Sequence, residues 1–231
     1  MDIKRKERGR YPIVQVAYLP MPCMHCDEAP CVTADGAVYK RDDGLVIIDP
    51  EKAAGRKEIA ASCPYNAIYW NEVKQLAQKC TGCAHLLDDG WTETRCSQVC
   101  PTDAVKLVLA EDEEMARKVA EEGLEHYRDG LGTKPRVYYR NLYRWDKAFV
   151  AASLVYADTD ECAAGATVTV ELDGVAVGEA MSDDFGEVVV DRLEPGREYT
   201  VAITAPGYRP DVTSVRLEKS VSLGVVLLDK A

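Results

Sequence analysis

Nine cysteines determine what chemistry this 231-residue sequence can perform, and eight of them lie before residue 101. Thiolates at C-x2-C spacing bind metals, and four thiolates together bind a 4Fe–4S cubane. The first set is Cys23, Cys26, Cys31 and Cys63, and the second set is Cys80, Cys83, Cys96 and Cys100. No acid–base constellation accompanies them, so the sequence predicts metal centres and no catalytic side chains.

The spacing of the first set requires an explanation, because Cys63 follows 32 positions after Cys31. In two-cluster ferredoxins the fourth cysteine of each run ligates the other cluster. An ancestral pair of such runs has eight ligand positions, four for each cluster. If this chain descends from such a pair, the first set occupies four of them and the other four belong to a second cluster. These positions hold Asp35, Ala53, Arg56 and Ile59. The pattern predicts that Cys63 completes one cubane and that the other cubane has been lost as a unit.

Zinc is the alternative metal, because four-cysteine zinc sites pair two C-x2-C knuckles, as the second set could. The three-cysteine first run favours iron, and so do the prolines that follow Cys63 and Cys100. Proline fixes φ and removes a backbone donor, which turns the chain away from a cluster. We expect His25 and His85 to flank the metal sites and not to ligate.

Composition excludes several other roles. The formal net charge is −11, which argues against nucleic acid as a partner. The start, MDIKRKERGRYP, lacks the apolar region of a secretory signal, and no apolar run is long enough to span a membrane. Its basic residues predict a solvated arm. Without a secretory signal we expect a reducing compartment, in which the cysteines stay reduced, and so a cytoplasmic protein.

The fold class predicted is α+β, with a ferredoxin-like iron–sulfur cluster domain followed by an all-β sandwich or barrel. We place the 4Fe–4S domain at residues 1–109, with short strands in GLVIID and AIYW. Residues 110–149 are predicted to form a helix, over 110–128, and an extended connector. The β domain occupies residues 150–231.

The β domain is indicated by hydrophobic residues at a period of two, as in ATVTVELDG. Asp173-Gly174 is a favoured hairpin dipeptide, and evenly spaced segments predict about seven strands. The segment 151–231 has 6 lysine and arginine residues against 15 acidic ones, which suggests a separate module. Cys162 stands alone there and is predicted to be an unligated thiol.

A family resemblance extends over nearly the whole chain. The stretches KRKERGRYP, PMPCMHCDEAPCV, SCPYNAIYWNE, QKCTGCAHLLDD and LGTKPRVYYRNLYR resemble the iron–sulfur subunits of the dimethyl-sulfoxide-reductase family, in its transhydroxylase branch. The β domain is similar to the Cna-B or carboxypeptidase-regulatory type. The resemblance implies an electron-transfer subunit in a heterodimer with a large molybdopterin-binding catalytic subunit that acts on polyhydroxylated aromatics.

The family pattern opens with a further cysteine run that this sequence does not contain. In the family, the last cysteine of each run ligates the cluster of the paired run. Cys80, Cys83 and Cys96 would therefore share a cluster whose fourth ligand lies in that further run, and Cys100 would be the fourth ligand of another cluster. The resemblance therefore implies one 4Fe–4S cluster on the first set and one or two more that depend on the true N-terminus. Alternatives are a reductive dehydroxylase or other oxidoreductase as partner, a zinc-stabilised interaction module, or a cluster-poor scaffold.

Overall fold

The computed structural model describes all 231 residues and divides them into two compact units. The cysteine-rich unit comprises Met1–Lys4 and Pro20–Leu142, and the β unit comprises Arg5–Leu19 and Tyr143–Ala231. From the sequence we expected the whole N-terminal segment in the cluster domain, whereas residues 5–19 group with the β unit. The connector, up to Leu142, groups with the cysteine-rich unit.

The chain begins with a two-stranded sheet of β1 (Asp2–Arg10) and β2 (Ile13–Met21). Arg8 in β1 is only 2% exposed. Its guanidinium donates to the carboxylate of Asp191 at 2.5 Å and to the side-chain oxygen of Gln15 at 3.1 Å. A buried charge requires such a partner. The prediction of a solvated basic arm is therefore wrong for Arg8, whereas Arg5, Lys6 and Arg10 are exposed as predicted.

The cysteine-rich unit is built from short elements. In chain order they are β3 (Val38–Lys40), β4 (Val46–Ile48), α1 (Glu58–Ala61), β5 (Ile68–Asn71), β6 (Leu76–Lys79), α2 (Ala84–Asp88), α3 (Arg95–Gln98), α4 (Asp112–Glu122) and a 3-10 turn (Asp129–Leu131). Strand β3 pairs with β4, and β5 pairs with β6, both antiparallel. The strands predicted in GLVIID and AIYW are β4 and β5.

Buried side chains of this unit form one small core beside the first cysteine set. Its members are Cys31, Ala37, Val38, Val46, Ala53, Ile59, Ile68 and Ala77, with Cys63 packed against it. Most of these side chains are small, so each contributes little apolar area. Two of the first-set cysteines, Cys31 and Cys63, therefore contribute to the packing of this small core.

Helix α4 is shorter than the 110–128 segment that the periodicity predicts. It begins with three acidic residues in its first turn, as expected from the helix dipole, and has no buried residue. Gly123 ends it in the left-handed conformation, at φ +59°. Glu125 then bridges to Tyr139 and so belongs to a strand-like contact. No helix in the structure has the length and hydrophobicity that crossing a membrane requires.

The β unit contains seven strands after the short helix α5 (Tyr143–Asp146). They are β7 (Ala148–Tyr156), β8 (Thr167–Leu172), β9 (Val175–Met181), β10 (Glu187–Leu193), β11 (Arg197–Thr204), β12 (Asp211–Leu217) and β13 (Val221–Leu228). One sheet has the order β10-β7-β13 and the other β12-β11-β8-β9. Strand β13 runs parallel to β7, and the other pairs are antiparallel.

The core of the β unit follows the alternation seen in the sequence. Val168 and Val170 on β8, and Val201 and Ile203 on β11, are at most 2% exposed, while their neighbours are partly exposed. Side chains two apart share one face of a strand, so both strands bury one face. Asp173 has φ +52° and Gly174 has φ +79°, as a type I′ hairpin between β8 and β9 requires.

Replacing Gly186 should destabilise the β unit. Gly186 has φ +72°, and an added Cβ would lie 2.2 Å from the carbonyl oxygen of Leu154. We expect Gly186→Ala to lower the free energy of unfolding by about 2–4 kcal/mol, from backbone strain and overpacking together. Urea unfolding followed by circular dichroism measures the loss.

Gly207→Ala is the matched control, because Gly207 has φ +83° and no atom within 4 Å of the added Cβ. This variant should lose only about 1–2 kcal/mol, from the left-handed conformation. Equal losses in the two variants would contradict the packing described around Gly186.

Candidate iron–sulfur centre

The structure brings the first set of thiols together. Cys23, Cys26 and Cys31 lie buried in the loop after β2, and Cys63 lies half-buried just after α1. Burial is the main reason why the pKa of each of the three buried thiols is raised, to about 11 for Cys31. The negative charge of Cys63 also raises the pKa of all three. Cys63 therefore lies within electrostatic reach of a run that ends 32 positions earlier in the sequence.

Backbone amides point at two sulfurs of this set. The N–H of His25 donates to Cys23 Sγ, and the N–H of Ala67 donates to Cys63 Sγ, each at 3.4 Å. The left-handed backbone at His25, with φ +45°, turns its amide towards the sulfur. Successive amides in such loops form concavities that bind anions, including iron–sulfur centres. The loop is thus arranged to stabilise negative charge.

The connector holds this cysteine loop in place. Three backbone hydrogen bonds join the two segments: Asp27 N–H to Lys134 O at 2.9 Å, Glu28 N–H to Thr133 O at 3.1 Å, and Arg136 N–H to Met24 O at 2.9 Å. The hydroxyls of Tyr65 and Thr133 lie 2.6 Å apart, and Tyr65 is only 2% exposed. The Tyr- and Arg-rich stretch is therefore a packed connector, one of the two interpretations preferred from the sequence.

Ion pairs strengthen the same junction. The carboxylate of Asp27 accepts from Lys40 at 2.5 Å and from Arg136 at 2.6 Å. Burial raises the pKa of Asp27, but the hydrogen bonds from Lys40 and Arg136 outweigh it and lower the pKa below its usual value. Lys40 also donates to the carbonyl of Cys26 at 2.9 Å, which ties the ligand loop to β3.

Members of the second set are half-buried and lie around α2 and α3. The N–H of Gly82 donates to Cys80 Sγ, and the N–H of Arg95 donates to Cys83 Sγ, each at 3.4 Å. The second bond places Cys83 beside the start of α3, which carries Cys96. The structure thus connects three of the four members through adjacent segments.

Cys100 makes its contacts elsewhere. Hydrogen bonds from the backbone and side chain of Thr102, and from the backbone of Val105, lower the pKa of its thiol to about 7. The Sγ of Cys96 lies 3.1 Å from the hydroxyl of Thr94, which also caps α3. The hydrogen bonds to the thiol of Cys100 therefore come from residues downstream of it, whereas its backbone N–H donates to the carbonyl of Ser97 at 3.2 Å. The assignment of Cys100 to a different cluster stays a prediction.

The four positions that crossed ligation would assign to a second cubane lie together. Arg56 pairs with the carboxylate of Asp35 at 2.6 Å. Ala53 and Ile59 are 0% and 2% exposed and belong to the core that includes Cys31. Backbone hydrogen bonds join Ala53 to Arg56 and Arg56 to Ile59. An ion pair and apolar contacts therefore occupy the place where crossed ligation puts a second cubane.

Lys79 is a feature of the site that the sequence patterns do not reveal. Its ammonium donates to the carbonyl of Val46 and, at 3.1 Å, to the carbonyl of Cys80. Its charge opposes the burial that raises the pKa of Cys23 and Cys31. Lys79 thus places a positive charge between the two cysteine runs. A single lysine before a C-x2-C pair resembles any solvated lysine, so the sequence carries no signal for it.

His25 is held as a neutral imidazole. Its ring is 7% exposed, and burial, followed by the charge of Lys79, lowers its pKa to about 3. Its Nδ1 accepts a hydrogen bond from the N–H of Val46 at 2.9 Å. The ring is therefore engaged with β4 through one nitrogen, as expected of a residue that flanks the site.

The donor set fits iron–sulfur clusters better than a single ion. One zinc ion requires four ligands at about 2.0–2.3 Å from a single centre. No three side chains of His, Cys, Asp or Glu are grouped as such a site requires. A cubane spreads its thiolates over the outside of the cube, one for each iron, so its ligands lie further apart. The features that fit a cubane are the cysteine donors and the backbone amides that face their sulfurs.

Known proteins match both units. Residues 14–110 match the family model described as a 4Fe-4S dicluster domain. The chain is 49% identical over 232 residues to the pyrogallol hydroxytransferase small subunit of Pelobacter acidigallici, covering 99% of this chain and 84% of that protein. It is 28% identical to the thiosulfate reductase electron transfer subunit of Salmonella typhi, covering 61% of this chain and 74% of that protein. It is 33% identical to a sulfite dehydrogenase subunit of Allochromatium vinosum, with coverages of 58% and 60%.

The fold and the cysteine runs define a class, the ferredoxin-type iron–sulfur proteins that transfer electrons as subunits beside a separate catalytic chain. Within that class, the chain belongs to the family of the pyrogallol hydroxytransferase small subunit. The predicted resemblance and the predicted 4Fe–4S cofactor are confirmed. The assignment of individual cysteines as ligands stays a prediction, which substitution can test.

Removing Cys63 should remove one cluster. A 4Fe–4S cubane needs four thiolates, so Cys63→Ala should lower the iron content by about four atoms per chain and the acid-labile sulfide in step. Iron and sulfide analysis after anaerobic purification measures both losses.

Cys162→Ala is the control, because Cys162 is exposed and lies in the β unit. This variant should keep the iron and sulfide of the unaltered protein. Full iron and sulfide in Cys63→Ala would show that this thiol is not a ligand.

Proposed function

We propose that this chain carries single electrons to and from a large molybdopterin-binding subunit that acts on a polyhydroxylated aromatic such as pyrogallol. The observation that supports this assignment is the 49% identity over 99% of the chain, which includes the connector and the β unit as well as the cysteine runs. We propose a heterodimer of the two subunits, in a reducing compartment such as the cytoplasm, where thiols stay reduced.

In this proposal Cys23, Cys26, Cys31 and Cys63 hold one cluster. Cys80, Cys83 and Cys96 contribute three ligands to another, and Cys100 contributes one ligand to a further cluster. When bound, the clusters supply reversible one-electron transfer at potentials set by hydrogen bonds to sulfur, charge and burial. The molybdopterin cofactor belongs to the partner subunit alone.

The residues of this chain would set the electrostatics of the site. The amides of His25 and Ala67 donate to cysteine sulfurs, and Lys79 adds a positive charge near Cys23. These groups favour negative charge at the sulfurs. Burial disfavours it, as the raised pKa of Cys31 indicates. The balance between the two effects is the means by which the protein sets each potential.

We propose that the β unit is of the Cna-B or carboxypeptidase-regulatory type and serves a structural role. The sheets of three and four strands support this type. The excess of acidic over basic residues in 151–231 and the lone Cys162 offer no set of groups for catalysis. The chemistry of the complex would then lie in the partner subunit.

A different oxidoreductase partner is the second candidate. The similarity to subunits of thiosulfate reductase and sulfite dehydrogenase favours it, at 28% and 33% identity. Those matches cover about three fifths of this chain, whereas the match to the pyrogallol hydroxytransferase subunit covers nearly all of it. The pyrogallol assignment is therefore the better supported.

Anaerobic purification of the tagged chain from cells that also express the partner tests the proposal. We expect a brown complex with a large molybdenum-containing subunit, which consumes pyrogallol and loses that activity when Cys63→Ala removes a cluster. The Cys162→Ala complex should retain the activity. A colourless, zinc-containing chain that purifies alone would overturn the proposal, and an active complex indifferent to pyrogallol would favour the second candidate.

A further inference from the structure

One ring nitrogen of His25 has a hydrogen-bond partner in the chain, and the other has none. Its Nδ1 accepts the N–H of Val46 at 2.9 Å, so Nδ1 carries no hydrogen. A neutral ring then carries its hydrogen on Nε2. Nε2 is fully buried, and no atom of the chain accepts its hydrogen. Buried donors without partners are rare in folded proteins, so this one calls for an acceptor that the polypeptide does not supply.

The unpaired Nε2 faces the second cysteine run. A Cβ built on Gly82 would lie 3.4 Å from Nε2. Gly82 lies between Cys80 and Cys83, and its own N–H donates to Cys80 Sγ at 3.4 Å. The backbone of His25 therefore belongs to the first cysteine run, between Cys23 and Cys26. The tip of its side chain lies against the loop of the second run.

The glycine keeps this approach open. Gly82 has φ +63°, and an added Cβ would lie 2.7 Å from Cδ2 of Leu45. A larger residue there would meet both the Leu45 side chain and the edge of the imidazole. The lack of a side chain at Gly82 thus leaves room for the Nε2 edge of the imidazole beside the loop between Cys80 and Cys83.

We propose that the Nε2–H of His25 donates a hydrogen bond to a sulfur of the cluster held by the Cys80–Cys83 run and raises the reduction potential of that cluster. The inference rests on the proposed function, which supplies the cluster. His25 is not a ligand in this proposal. It is a positioning residue of the first loop that tunes the second site, and so links the two cysteine runs.

The direction of the effect follows from charge. Reduction adds negative charge to the cluster, and a hydrogen bond to sulfur stabilises the more negative state. Loss of the donor should therefore lower the potential. The differential strength of one hydrogen bond corresponds to roughly a three- to tenfold change in the ratio of reduced to oxidised cluster at a fixed potential. A tenfold change is about 59 mV for a one-electron couple.

Redox titration of the anaerobically purified complex, followed by electron paramagnetic resonance, tests the proposal. His25→Phe should lower the potential of one cluster and leave the others unchanged. His25→Gln keeps an N–H donor at a similar reach and should restore most of the potential. His126→Phe is the control, since His126 bonds the carbonyl of Val137 instead, and should shift nothing. Unchanged potentials in His25→Phe, with full iron, would overturn the inference.

A second measurement needs no change at His25, in case His25→Phe loses its clusters. The complex is labelled with histidine that carries 15N only in the imidazole ring, because the backbone N–H of His25 already donates to Cys23 Sγ. A His85→Gln background removes the other histidine near the second run. Electron spin echo spectroscopy of the reduced complex should show a weak 15N coupling, of the size that a hydrogen bond transmits. No coupling, or the strong coupling of a direct ligand, would overturn the inference. A complex without iron would overturn the proposed function instead, and this inference with it.

Discussion

Negative charge concentrated at buried sulfur is the constraint on which the cysteine-rich unit depends. Cys23, Cys26 and Cys31 are buried, and burial raises the pKa of each thiol. Thiolates in such surroundings are stable only with a metal centre and with donors that face the sulfur. The short strands, the left-handed turns and the connector can all be understood as means of bringing those donors to the loop.

The same constraint suggests how the predicted loss of a cluster site would leave the fold intact. Once its thiolates are absent, a site needs only neutral packing or a paired charge. Ala53 and Ile59 supply packing, and Asp35 with Arg56 supplies a pair at 2.6 Å. Cys31 packs in the same core as Ala53 and Ile59. Packing at these positions therefore supports the loop that carries Cys31. The packing and the ion pair at these positions are compatible with the predicted loss of all four ligands together.

Features of the fold and the site that depend on local sequence patterns could be predicted. Features that depend on contacts between distant residues could not. The Asp173-Gly174 turn and the alternation in β8 are local signals, and the structure agrees with both. The cysteine spacing predicted the 4Fe–4S cofactor, which the family model confirms. The burial of Arg8 depends on Asp191, 183 positions away, and helix periodicity does not reveal that Gly123 ends α4 early. Lys79 and His25 gain their roles from loops that meet only in the folded chain, so spacing alone could not identify them.

The most direct test of crossed ligation is the position of iron relative to two sulfurs. A crystal structure of the anaerobically purified protein, with anomalous scattering measured at the iron edge, locates every iron atom. We predict one four-iron cluster ligated by both Cys31 and Cys63, and no iron between Asp35 and Arg56. A cluster ligated by Cys31 without Cys63, or a single zinc ion in its place, would contradict this prediction.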